Sequence, residues 1–168
     1  ISRLMSSYTP YNEMLLMHEM GTGKTCSAVA IIEQIRSEQN GITSFLYVAK
    51  NKTLLSQFEQ EFRGKCTSTD FSGLNKLGDI GIRMVTHDGM VKSFMTNPIG
   101  GGEKKPVRGS LDNKVIIIDE IHNIKESSSG LYADYHRLLH SVTNSKVILM
   151  TGTPMTDVAS EFASVMNL

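Results

Sequence analysis

Three short stretches hold residue types that could handle a nucleoside triphosphate: Gly21-Thr22-Gly23-Lys24-Thr25, Asp119-Glu120-Ile121-His122 and Thr151-Gly152-Thr153-Pro154. The first lies between the apolar run 14–17 and a helical pattern. Glycines there let backbone N–H groups turn inward around phosphate oxygens, and the start of a helix adds partial positive charge. Met20, Gly21, Thr22, Gly23, Lys24, Thr25 and Cys26 are expected to line such a cradle. Lys24 has the length to reach β- and γ-phosphates, and the Thr25 hydroxyl is a suitable ligand for Mg2+. The usual spelling, Gly-x-x-x-x-Gly-Lys-Ser/Thr, opens on glycine, whereas His18 stands in that place here. A glycine-rich turn ending in a surface lysine is the plain alternative.

Hydrolysis needs more than a phosphate cradle. Asp119 closes the apolar run Val115–Ile118, and such a carboxylate projects into the crevice where ligands sit in open α/β sheets. It is expected to hold Mg2+ through water, with Thr25. Glu120 is suited to orient and deprotonate an attacking water. Lys24, Asp119 and Glu120 are thus the candidate catalytic set. Thr151 and Thr153 follow another apolar strand, and their hydroxyls could bond to these carboxylates. A different chemistry is expected at Lys50, Asn51, Lys52 and Thr53, after a strand's carboxyl end. Donors there suit a nucleic-acid backbone, which is gripped through its phosphates. Thr86 and His87 have a similar placement. A solvated loop is the alternative for all six.

These residues need elements to hold them. The sequence alternates strand and helix, which favours a parallel sheet covered by helices. Strands are expected at 14–17, 44–50, 82–87, 114–119 and 146–150, the last two buried on both faces. Helices are expected at 25–41, ending at Asn40-Gly41, and at 53–62, 89–95 with Asp88 as cap, 130–144 and 157–168. Residues 64–79 are expected to be loop, and 96–113 a mobile, exposed insertion rich in Gly, Pro and charge. The strand at 146–150 should lie between 14–17 and 115–118, to set a gap wide enough for phosphate and metal.

Composition narrows the class further. A chain of 168 residues reads as one domain. Lys plus Arg equals Asp plus Glu, 17 against 17, so net charge points to no polyanion. Two cysteines without a Cys-x-x-Cys pair fit a reducing compartment and argue against a disulfide framework or zinc site. Cys26 is therefore expected as a small packed hydrophobe. His136 and His140 share a helix face, without a third ligand in view. No signal peptide is visible, and no apolar run approaches the ~18–20 residues of a membrane span, so no membrane partner is expected. The opening residue, Ile1, suggests a piece of a larger protein.

With the three stretches in order, the chain resembles the first RecA-like lobe of a superfamily 2 helicase or translocase. "GTGKT" resembles motif I, "DEIH" motif II and "TGTP" motif III; "LYVAKNKTLLSQFEQEF" resembles motif Ia and "MVTHDGM" the motif Ib region. The spellings "HEMGTGKT", "DEIHNI" and "LMTGTPM" are especially similar to helicase-type ATPases of large cytoplasmic DNA viruses, such as the poxvirus early transcription factor small subunit and nucleoside triphosphate phosphohydrolase I. The resemblance implies a P-loop (RecA-like) three-layer α/β/α fold over 1–168, with a mostly parallel central sheet. It also implies ATP and Mg2+ as ligands, DNA or RNA as partner, and His122 coupling nucleotide state to the third motif. A second RecA-like lobe with arginine fingers, an intracellular or virion setting and a viral transcription apparatus complete the expectation. No glutamine in 1–13 matches the family's adenine reader, and the arginine fingers that speed phosphoryl transfer belong to the second lobe, so this lobe alone is expected to bind ATP weakly and hydrolyse it barely at all. A nucleotide or small-molecule kinase, or a nucleotide-gated binding module, shares the phosphate loop and stays open.

Overall fold

The computed structural model describes residues 1–19, 21–38, 42–67, 69–71, 73–98, 101–124, 129–152 and 159–168. Five parallel strands form the main sheet: β1 (Glu13–Met17), β2 (Ser44–Ala49), β3 (Ile82–Thr86), β6 (Lys114–Ile118) and β7 (Lys146–Thr151). Their order is β1-β7-β6-β2-β3, so β7 lies between β1 and β6, as the spacing argument requires. Five helices accompany them: α1 (Lys24–Ser37), α2 (Lys52–Gly64), α3 (His87–Phe94), α4 (Ser129–Leu139) and α5 (Ala159–Met166).

The three layers follow from the two-residue period of a strand. Successive side chains point to opposite faces. Phe45, Tyr47, Val115, Ile117 and Ile148 pack with α1 (Ala28, Val29, Ile31, Ile32, Ile35) and α2 (Phe58, Phe62). Leu46, Val48, Ile116, Ile118 and Val147 pack on the other face with α3, α4 and α5 through Met90, Phe94, Tyr135, Leu138 and Val165. Val115 to Ile118 are all fully buried, as expected of a central strand covered twice. Each such side chain contributes roughly 1.5–3 kcal/mol on leaving water. The fold is thus a three-layer α/β/α, RecA-like architecture with a parallel central sheet.

Several boundaries differ from the sequence expectation. α3 begins at His87 because Thr86, not Asp88, is its cap: Thr86 Oγ1 accepts from Gly89 N at 3.2 Å. α1 ends at Ser37, and its expected stop at Asn40-Gly41 lies outside the described residues. α4 ends at Leu139 rather than 144, and Asn144 takes a left-handed conformation with φ 53° before β7. Where loop is expected at 64–79, a 3-10 turn forms at Leu77–Ile80 with Leu77 buried. Gly81 ends that turn at φ +81°, where a Cβ would stand 2.2 Å from the Thr43 carbonyl oxygen. Only glycine fits there.

The insertion after α3 is more ordered than its Gly/Pro content suggested. Met95–Thr96 (β4) and Lys105–Pro106 (β5) form an antiparallel ladder, and Leu111 enters the second core. The two cysteines also correct the expectation. Cys26 and Cys66 form a disulfide, with Cα atoms 4.7 Å apart. α1 and α2 pack on the same sheet face, which brings the first turn of α1 beside Cys66, two residues past the end of α2. A separation of 40 residues conceals that neighbourhood in the sequence, and the cysteine count no longer supports a reducing compartment. Among the described residues, no helix is long and apolar enough to cross a membrane.

Candidate nucleotide site

All five strands run the same way, so their carboxyl ends share one edge. The loop after β1 is tied to β7 by His18 N donating to Thr151 O at 3.0 Å, and Asp119 N donates to Val48 O on β2 at 2.8 Å. Thr22 bonds back to Glu19 O through both its N–H and its hydroxyl, at 3.3 and 2.7 Å. Gly21 and Gly23 have φ +79° and +91°, a region that L side chains rarely adopt. Gly23 is the N-cap of α1, so no side chain covers the first amides and no acidic residue sits in the first turn. Those unclaimed donors, with the helix dipole behind them, suit an anion.

Opposite them lies a charged network. Lys24 Nζ stands 3.0 Å from Asp119 Oδ1 and hydrogen-bonds Glu120 Oε1. Burial pulls the lysine pKa down, but the two carboxylates outweigh it, and the net shift is upward. Asp119 is buried. Its Oδ1 also accepts from Glu120 N at 2.9 Å, and its Oδ2 accepts from Tyr47 OH at 2.9 Å. Burial first, and Asp119 next, push the Tyr47 phenol well above its usual range, so its proton stays in place. Glu120 takes a left-handed conformation, φ 52°, held by Asn123, whose N and Nδ2 both donate to Glu120 O. Such a conformation costs of order 1 kcal/mol or more in a non-glycine residue and re-aims the side chain. Glu120 Oε2 is buried and has no hydrogen-bond partner among the described residues, although His122 Nδ1 stands 3.1 Å away. His122 Nδ1 is also 2.9 Å from Thr151 Oγ1. Lys24, Glu120, His122 and Thr151 therefore form one continuous chain of contacts across three strand ends.

Other sequence candidates are placed as follows. Thr25 is half-buried in the first turn of α1, and Cys26 beside it is in the disulfide. Met20 and Thr153 lie outside the described residues. Lys50, Asn51, Lys52 and Thr53 are exposed together at the edge that carries the phosphate loop, and Asn51 Oδ1 caps α2 by accepting from Leu54 N at 3.0 Å. Thr86 serves as a cap. His87 departs from the expected surface role: its ring is buried and lies 2.6 Å from Tyr135 OH. Burial drives its pKa down to about 4 against the pull of Asp119. A cation suited to this site takes hard oxygen ligands. Asp119 and the Thr25 hydroxyl are of that kind, and the few protein ligands leave room for phosphate oxygens, the pattern Mg2+ prefers. Among the described residues no group of three or more His, Cys, Asp or Glu side chains could hold a metal, His136 and His140 included. Tyr47 and Asn123 were missed in the sequence. The one hydroxyl in the buried part of β2, Phe45–Ala49, was the signal for Tyr47.

A family model described as type III restriction enzyme, res subunit, matches residues 2–156. Among curated proteins, one described as a helicase, 009L of Frog virus 3 (isolate Goorha), is 29% identical, covering 100% of this chain and 19% of its own length. Another, 087L of Invertebrate iridescent virus 3, is 28% identical over 100% and 19%. A third, described as an ATP-dependent RNA helicase, R563 of Acanthamoeba polyphaga mimivirus, is 25% identical over 100% and 31%. The chain thus spans less than a third of the length of these relatives. Among solved structures, the Sulfolobus solfataricus SWI2/SNF2 ATPase core in complex with double-stranded DNA superposes with TM-score 0.61 at 21% identity, over 94% of this chain and 31% of that one. The Pyrococcus furiosus Hef helicase domain gives 0.60 at 19%, over 94% and 32%. At these identities the structures speak for the fold.

Proposed function

The chain belongs to the family described as type III restriction enzyme, res subunit, and is a superfamily 2 ATPase lobe related to viral helicases; from that premise we propose that it binds and hydrolyses ATP as half of a nucleic-acid-driven motor. The observation that carries this reading is the position of Lys24, bridging Asp119 and Glu120 beside an uncapped helix start. Lys24 would pass to the β- and γ-phosphates. Thr25 and Asp119 would hold Mg2+, which neutralises developing charge on the phosphates. Glu120, whose buried Oε2 has no hydrogen-bond partner among the described residues, takes the proton of the attacking water. His122 ties that carboxylate to Thr151 and relays its state to the third motif.

Calorimetric titration with ATP and Mg2+ tests this. Lys24→Ala removes a partly buried charge from the phosphates and should weaken binding about a hundredfold, since truncating one member of a buried charged pair costs about 2–5 kcal/mol. Equal affinities for the variant and wild type would sink the assignment.

We propose that the polymer, DNA or RNA, runs past Lys50 and Lys52. The duplex held by the Sulfolobus core supports DNA, and the description of the mimivirus relative supports RNA. Changing both lysines to Ala should flatten the salt dependence of polymer binding by up to about 1.8 in log–log slope, because each phosphate contact releases about 0.9 counterions on duplex DNA. Fluorescence anisotropy over a salt series reads this for a labelled duplex and a labelled RNA. An unchanged slope would move the track elsewhere. A second RecA-like lobe belongs to the same proposal, and the greater length of the viral relatives leaves room for it; an intracellular or virion setting and a role in viral transcription are proposed with it on the likeness to viral helicases. The finer likeness to the poxvirus factors rests on motif spelling alone. Phosphate release that rises with polymer and needs no acceptor separates this reading from a kinase.

A further inference from the structure

Tyr47 lies in the middle of β2, a strand that contributes core and no chemistry in the reading above. Its neighbour across the ladder is Ile117 on β6. Side chains two apart on a strand share a face, so Asp119 projects on the same side as Ile117 and Tyr47, roughly 7 Å further along at ~3.3 Å per residue. A tyrosine ring pointed along the strand spans that step. Serine or threonine would fall short, and phenylalanine would arrive without a donor. Phe58 of α2 stacks on the ring, at 3.7 Å between centroids and 15° between planes, while the register of β2 on β6 sets the ring's direction. Only 2% of Tyr47 is exposed, so its hydroxyl is shielded from water's competition for Asp119.

The two oxygens of Asp119 consequently face different partners. Oδ2 accepts from Tyr47 OH at 2.9 Å, below the site. Oδ1 meets Lys24 Nζ at 3.0 Å and Glu120 N at 2.9 Å, within the site. Resting on the nucleotide reading above, we propose that Tyr47 is a positioning residue for the metal-anchoring carboxylate: its hydroxyl pins Oδ2, so that Asp119 offers a divalent cation a single, fixed oxygen. Hydrogen-bond partners behind a ligand commonly set metal affinity by about 10–100-fold. Asp119 cannot rotate to give both oxygens while the phenol holds one. The geometry also sets the role apart from packing, because the stacking belongs to the ring and the positioning to one oxygen atom.

The experiment is ATP binding by calorimetry over a Mg2+ series that includes metal-free buffer, on wild type, Tyr47→Phe and Phe58→Leu. Tyr47→Phe keeps the stack and loses the donor. It should raise the Mg2+ concentration that half-saturates the metal-dependent gain in ATP affinity by about tenfold. Metal-free ATP affinity should stay within about twofold, because Lys24 and the loop amides are untouched. Phe58→Leu loosens the ring and keeps the hydroxyl; it should lower the thermal midpoint without moving the Mg2+ dependence. Unchanged Mg2+ dependence in Tyr47→Phe would overturn the assignment, as would an equal shift in both variants, which would mark a packing effect. Wild type that binds ATP without any response to Mg2+ would overturn the nucleotide reading itself, and this inference with it.

Discussion

Replacing Glu120 with Gln should slow ATP hydrolysis by about 10²–10⁴-fold, the range that a positioned general base contributes, in the two-lobed assembly proposed above. Binding of ATP with Mg2+ should change by no more than a few fold, because Lys24, Thr25 and Asp119, the groups proposed to hold the phosphates and the metal, are unchanged. Gln matches the size of Glu and can still accept a hydrogen bond from Lys24, but it cannot accept a proton from water at neutral pH. The contacts that aim residue 120 are made by its backbone: its N–H donates to Asp119 Oδ1, and its carbonyl accepts from Asn123. They survive the substitution, so the loss isolates proton transfer from placement. Single-turnover phosphate release with saturating nucleic acid gives the rate. A variant that kept the wild-type rate would move the base elsewhere and favour the gated binding module.

A thiol reductant should lower the thermal midpoint by about 10 °C. The Cys26–Cys66 disulfide closes a loop of 40 residues, and removing that constraint from the unfolded chain costs about 4 kcal/mol by the loop-entropy relation. For a domain of this size each kcal/mol shifts the midpoint by about 2–4 °C. Cys66→Ser should sit at the lower midpoint from the start and ignore the reductant. Scanning calorimetry of both proteins, with and without reductant, decides it. A wild-type midpoint indifferent to the reductant would mean that α1 and α2 hold each other without the cross-link. Because Cys26 follows Lys24 by two residues, the reduced protein is also where fraying of the phosphate-loop helix would be sought first.

The sheet was readable because its strands are apolar and short, and the helices between them leave few topologies. The order around β7 followed from the space that phosphate and metal demand between Gly23 and Asp119. Asp119 and Glu120 announced themselves as charges ending an apolar run. Other features were hidden for physical reasons. Tyr47 reads as a core aromatic, and only the parallel register with β6 brings its hydroxyl to Asp119. His87 follows a strand end like Lys50, but the start of α3 turns its ring inward onto Tyr135. The disulfide depends on two helices meeting on one face of the sheet, which no local pattern encodes. Thr86, rather than Asp88, caps α3 because a hydroxyl one residue before the helix reaches the Gly89 amide.

On the proposed nucleotide reading, the lysine shared by two carboxylates would make nucleotide capture an exchange rather than an addition. Lys24 already has its charge satisfied, so a triphosphate can claim it only by leaving Asp119 and Glu120 side by side with no counter-charge. Asp119, released by the lysine, would be the group to hold a divalent cation brought with the phosphates, and without them a cation would have to compete with the ammonium group for Asp119. Each ligand therefore prepares the place of the other. By thermodynamic reciprocity, whatever factor the metal adds to the affinity for ATP, ATP adds to the affinity for the metal. On the same reading, loss of the phosphate would let Lys24 return to the two carboxylates that it bridges here.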